Sequence, residues 1–151
     1  MFTIRNYGDA DRSDLLALAR TQLVDPANDK IAIDRYLAHL LEEVGNGAKI
    51  VLAEDSGVLG GFVAMSAPLA AEADDSPAET YVMISDIYVT PNRRRNGIAT
   101  ALTHRAEEIA REAGASRVTL KALSRNIDAI AFYRRQAYRE QFVVMDKVLT
   151  A

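Results

Sequence analysis

Residues 84–100, ISDIYVTPNRRRNGIAT, pass from a β-branched run through an arginine-rich turn straight into a helix opened by glycine. Ile84, Ile87, Tyr88 and Val89 favour a strand, and Pro91 with Asn92 ends it. From Gly97 onward Ile98, Ala101, Leu102, Ala106, Ile109 and Ala113 recur at helical spacing, which predicts a helix over 97–113 lying on a sheet. The first amides of such a helix have no intrahelical partner and carry the positive end of its dipole, while Gly97 withholds a Cβ from the same place. Arg93, Arg94 and Arg95 add forked cationic donors, so the junction suits a phosphate. It is not a GxxxxGK[ST] loop, because Ile98 stands where lysine must follow Gly97, and no GxGxxG occurs. Nucleotide hydrolysis and dinucleotide binding lose support.

The rest of the chain predicts one α/β domain over 1–151. FTIRNY alternates as a half-buried strand, and Asp9 or Asp11 caps a helix through Leu15, Leu16, Ala19 and Leu23 that Asp25 and Pro26 end. Ile33, Tyr36, Leu37, Leu40, Leu41 and Val44 predict a second helix closed by Gly45 and Gly47. KIVLAE, DSG and VLGGFVAMS read as a hairpin, joined by the acidic segment EADDSPAE to a strand over 80–89. After the helix come a strand in SRVTLKA, a helix over 127–136 and a final alternating strand, YREQFVVMDKVL. The strands before and after the 97–113 helix are joined by a crossover, so they are parallel, and a ligand binds beyond their carboxyl ends.

With no cysteine in the chain, disulfides, thiolate metal sites and a cysteine nucleophile are excluded. His39 and His104 fall in separate helices without ligand spacing, so no metal is expected. A net charge of −3 argues against a broad nucleic-acid surface, and no apolar run approaches the length of a membrane span. MFTIRNYGD has no secretory pattern, which predicts a cytoplasmic protein. Glu72, Asp74, Asp75 and Glu79 form either a solvated loop or a field that draws a cationic substrate.

Two motifs together resemble the GNAT-type N-acetyltransferase family. Arg94, Gly97 and Ala99 occupy the fixed places of its pyrophosphate loop, [Q/R]-x-x-G-x-[G/A]. In SRNIDAIAFYRRQAY, Asn126, Ala129, Phe132 and Tyr133 match its second signature. The resemblance implies a mixed, largely antiparallel sheet of about six to seven strands, splayed between the fourth and fifth and flanked by about four helices. It implies acetyl-CoA as donor and CoA as product. The pyrophosphate would lie on Arg94 and the amides of 95–100, among them Arg95, Asn96, Gly97, Ala99 and Thr100, and the pantetheine arm would bond the backbone of Ile87 and Val89. Asn126 joins this cofactor set.

The resemblance points to Tyr133 as acid for the departing thiolate, and a phenol of pKa about 10 agrees, because it stays protonated beside a thiol of pKa about 8.5. An amide near Ile87 or Tyr88 is the candidate oxyanion donor. Asp86, expected on one strand face with Ile84 and Tyr88, is the leading base, with Glu79 and Ser85 as alternatives. Its other reading is a hydrogen-bonding brace. The acceptor is a primary amine on a small molecule or peptide, and the protein is a monomer or homodimer. The family usually places glycine and phenylalanine after the tyrosine helix, where this chain has Ala137 and Tyr138, which puts the shape of that turn in question. A non-catalytic acyl-CoA-binding or sensing domain is the alternative function, since it would keep the arginine loop and need neither acid nor base.

Overall fold

The computed structural model describes residues 1–22, 30–70 and 79–150, with the backbone alone for 30–34. Leu23, Asp25, Pro26, Glu72, Asp74, Asp75 and the Ile33 side chain lie outside the described residues. Two units divide the chain, 1–121 and 122–151.

In the first unit the elements run β1 (Thr3–Asn6), α1 (Arg12–Thr21), α2 (Lys30–Gly45), β2 (Lys49–Asp55), β3 (Val58–Met65), β4 (Leu69–Ala70), β5 (Thr80–Val89), α3 (Ile98–Glu112) and β6 (Arg117–Leu120). The sheet order is β1-β2-β3-β5, and β4 and β6 also pair with β5. Every pairing is antiparallel except β5 with β6, as the crossover through α3 requires. The two-residue β4 was not anticipated, so the strands expected to splay are the fifth and sixth in the chain.

Side-chain alternation sorts this core into two faces. Val51, Ala53, Val63, Met65, Val82 and Ile84 pack with Ile98, Leu102, Ala106 and Ala110 of α3. Ile50, Leu52, Phe62, Ala64 and Tyr88 pack with Leu15, Leu18 and Ala19 of α1 and with Leu37 and Leu40 of α2. Leu15, Leu52, Phe62 and Leu102 are almost fully buried. Burial on that scale stabilises by about 1.5–3 kcal/mol per side chain, more than any surface ion pair here.

Asp11 precedes α1 but makes no side-chain cap bond to it, contrary to the capping expectation. Its carboxylate instead accepts from the Arg5 guanidinium at 2.7 and 2.8 Å and from the Gly8 amide at 2.9 Å. The forked donor wins because it satisfies both oxygens at once. Arg5 thereby holds the Asp11 carboxyl at about 2. This stabilisation is complete above the ordinary carboxyl pKa of about 4 and is lost as pH falls through about 2. Arg5 is 38% exposed, so solvent screens the pair and the contribution is about 0.5–1 kcal/mol. Urea midpoints measured between about pH 5 and 2 should fall less steeply in Asp11→Asn than in the parent, and parallel curves would show that the pair adds nothing.

In the second unit α4 (Ile127–Arg135) is the regular element. The strand expected over YREQFVVMDKVL is absent, and Phe142, Val143, Val144, Met145, Val148 and Leu149 are all exposed. Alternation alone does not make a strand: backbone donors and acceptors need a ladder partner, and no strand is present within 122–150 to supply one. The turn after α4 keeps the form that glycine would give it. Ala137 takes a left-handed φ of 67°, Tyr138 N–H donates to the Tyr133 carbonyl at 2.9 Å, and Ala137 N–H donates to Arg134 at 3.0 Å. This completes the usual glycine-type helix stop, with alanine bearing a strain of about 1 kcal/mol.

Candidate functional site

The site in the first unit is built on β5, and one extra residue decides which way that strand points. Met83 faces β3, since its carbonyl accepts from Ser66 N–H at 2.8 Å and its amide donates to Ser66 Oγ at 3.0 Å. Thr90 also faces β3, donating to the Gly60 carbonyl at 2.9 Å. Residues 83 and 90 differ by an odd step, so strict alternation cannot place both there. The register shift opposite Ala64 and Met65 supplies the difference, leaving Ser85 as a bulge between Ile84 and Asp86. Beyond it Asp86 and Tyr88 turn their backbone groups to β3, while Ile87 and Val89 turn theirs to the opposite edge. On that edge β6 pairs with β5 only over Tyr81–Ile84. The edge beyond Ile84, carrying the amides and carbonyls of Ile87 and Val89, is therefore left without β6, which is the splay that was expected.

The bulge also corrects the side-chain assignment. Asp86 does share a face with Tyr88, but not with Ile84, because Ile84 packs with the α3 side and Tyr88 with the α1 and α2 side. Asp86 follows Tyr88. Its Oδ1 accepts from Gln22 Nε2 at 2.8 Å, and its Oδ2 accepts from the Tyr36 hydroxyl at 2.5 Å. Burial, joined by the charge of Asp86, pushes the Tyr36 phenol well above the ordinary tyrosine range, so it remains a donor. The Thr21 hydroxyl, donating to Leu18 at 2.6 Å, pairs with the Tyr88 hydroxyl at 3.1 Å. A polar group thus sits within an otherwise apolar face, and the sequence reading missed Gln22 and Tyr36 as its members. Nothing in their helical spacing distinguished them.

From Val89 the chain turns through Pro91–Arg93 into α3. Gly97 is the N-cap, at φ 78° and ψ 9°, and no side chain caps the helix. A Cβ built at Gly97 would meet nothing within 4 Å, so space stands open before the first helical amides. Arg95 is also left-handed, at φ 64°. Arg94 Nε donates to the Val89 carbonyl at 3.0 Å, and its guanidinium lies 5.9 Å from the centre of the Tyr88 ring. Asn96 Nδ2 donates to Arg93 at 3.3 Å. Ala99 and Thr100 lie in the first turn of α3, where the Ala99 carbonyl accepts from buried Thr103 at 2.8 Å. Arg94, Arg95, Asn96, Gly97, Ala99 and Thr100 are thus gathered at one helix start, which follows directly on the exposed end of β5. Glu79 pairs with Arg117 at 3.2 Å, so part of the acidic charge expected near β5 is neutralised.

In the second unit Asn126 is the N-cap of α4, its Oδ1 accepting from Ala129 N–H at 3.3 Å. The Asn126-to-Ala129 spacing of the second signature is therefore a capping distance. Tyr133 is half-buried and stacks edge-on against Phe132 and Tyr138, with ring centres at 5.3 and 5.8 Å. Among the described residues no cluster of histidine or carboxylate side chains is arranged to hold a metal, and His39 and His104 are exposed. No helix among them is long and apolar enough to cross a membrane.

Comparison with known proteins gives a consistent result. The model of the acetyltransferase (GNAT) family matches residues 13–138. Among solved structures, a ribosomal-protein-alanine N-acetyltransferase from Brucella melitensis aligns at TM-score 0.75 and 23% identity, over 99% of this chain and 100% of that one. An acetyltransferase from Pyrococcus furiosus, described as putative in its own name, aligns at TM-score 0.79 and 24% identity over 99% and 100%. The aminoglycoside N-acetyltransferase AAC(6′)-Iy, solved in complex with CoA, aligns at TM-score 0.78 and 18% identity over 100% and 96%. Among curated protein sequences no relative matches.

Proposed function

The chain belongs to the GNAT acetyltransferase family, and from that premise we propose that it moves an acetyl group from acetyl-CoA to a primary amine by direct attack through a tetrahedral intermediate. The observation that carries this reading is the left-handed Gly97 at the open start of α3, beside a β5 edge that β6 leaves at Ile84. The amides of residues 95–100 and the guanidinium of Arg94 bind the diphosphate of CoA. The exposed backbone of Ile87 and Val89 bonds the pantetheine arm as a neighbouring strand would. Of the two amides considered for the oxyanion, Ile87 suits it better, because Tyr88 N–H turns to β3. Asn126 and Tyr133 enter on the second signature: Asn126 in the cofactor set, and Tyr133 protonating the departing thiolate.

Asp86 takes the proton of the attacking amine. Gln22 and Tyr36 hold its carboxylate in place, and the charge it keeps in an apolar face favours a cationic acceptor nearby. Asp86→Asn should lower the rate chiefly at acidic and neutral pH and recover as the amine deprotonates unaided. An equal loss at every pH would reduce Asp86 to a brace for Gln22 and Tyr36.

The acceptor is a small-molecule or peptide amine. The similar structures named for aminoglycoside and ribosomal-protein-alanine acetylation support that range. We place the protein in the cytoplasm, as a monomer or homodimer. Binding of the donor is tested by thermal unfolding. Acetyl-CoA at about a hundred times its dissociation constant should stabilise the fold by about 2.7 kcal/mol, and an unmoved midpoint would exclude the donor site.

A further inference from the structure

The arginine loop rests on two glycines of β3 that the motif does not include. At Gly60 an added Cβ would lie 2.3 Å from Arg93 Cδ and 3.1 Å from its Nε, so the arginine stem crosses bare backbone. The Gly60 carbonyl also takes the Thr90 amide at 2.9 Å and the Thr90 hydroxyl at 3.3 Å, and the Thr90 carbonyl takes the Arg93 amide at 2.9 Å. At Gly61 a Cβ would lie 2.8 Å from the Tyr88 carbonyl and 3.3 Å from Ile98 Cγ2. Ile98, the first residue of α3, is buried there. One glycine therefore receives the start of the loop and the next receives its end. Neither has the left-handed φ that would by itself demand glycine. What demands it is the close approach of the loop.

We propose that Gly60 and Gly61 are positioning residues for cofactor binding, a seat that draws Arg93 and Ile98 onto β3 and so fixes where the amides of 95–100 point. The proposal rests on the reading of that loop as the CoA diphosphate site. Preorganised donors bind more tightly than donors that must be ordered by the ligand, so unseating Arg93 weakens binding without removing any atom that touches CoA.

The test is Gly60→Ala, whose backbone accepts alanine and whose only clash is with Arg93. Gly61→Ala is less useful because it strikes the backbone carbonyl of Tyr88. In the folded, ligand-free variant, amide hydrogen exchange across residues 93–97 should quicken by about tenfold, and calorimetry should show CoA binding weakened by about tenfold with the thermal midpoint little changed. Made in an Arg93→Ala background, the same change should cost less than about twofold, since the stem it displaces is gone. Parent-like exchange in Gly60→Ala, or an undiminished loss in the Arg93→Ala background, would overturn the seat. Absence of CoA binding to the parent would instead refute the diphosphate reading, while the exchange measurement would still decide whether Gly60 seats the loop.

Discussion

Gly97→Asp is expected to weaken CoA binding by about 10² to 10⁴-fold while leaving the protein folded. The size follows from losing two charge-assisted bonds to phosphate, about 3–6 kcal/mol, to an aspartate that places negative charge and bulk before the first amides of α3. The fold should survive because a Cβ at Gly97 meets nothing within 4 Å and aspartate tolerates the left-handed φ of 78° better than most residues. Gly97→Asn separates the two causes. It shares the backbone demand and the bulk but carries no charge, so its loss should be much smaller. Calorimetry on both variants checks the comparison, and equal losses would assign the effect to shape alone.

Tyr133→Phe should leave CoA binding intact and lower kcat by about 10 to 10⁴-fold. Removing one phenolic oxygen preserves the edge-on packing against Phe132 and Tyr138, and only a proton donor is lost. Steady-state kinetics with a fixed acceptor reads this directly. A variant with full kcat would make Tyr133 a packing residue.

How much of this was legible in the sequence depends on the kind of signal. The segment 84–100 declared itself through β-branched residues, Pro91 and the helical recurrence after Gly97, and β5, the turn and α3 formed within a residue or so of the expected bounds. The parallel pairing of β5 with β6 followed from the crossover. The bulge at Ser85 did not declare itself, because an inserted polar residue leaves both flanking runs apolar. Asp86 was consequently assigned to the face of Ile84. Gly60 and Gly61 looked like an ordinary weak spot in a strand, since their purpose lies in residues some thirty positions away. The tail misled in the opposite sense: Phe142, Val144 and Val148 alternate well, yet a strand is a property of two segments and only one was in view. Asp11 likewise stood in a capping position, and only the fold revealed Arg5 as the stronger partner.

The central claim is that acetyl-CoA gives its acetyl group to an amine on this protein. The most direct measurement incubates the parent with acetyl-CoA and a panel of polyamines, aminoglycosides, amino acids and peptides, and compares free CoA thiol with N-acetylated amine by mass spectrometry. We expect thiol release that depends on the acceptor and matches the acetylated amine mole for mole, with a cationic primary amine as the best substrate. Tight binding of acetyl-CoA with no thiol released above the uncatalysed rate for any amine in the panel would contradict the claim and leave a domain that binds acyl-CoA without turning it over.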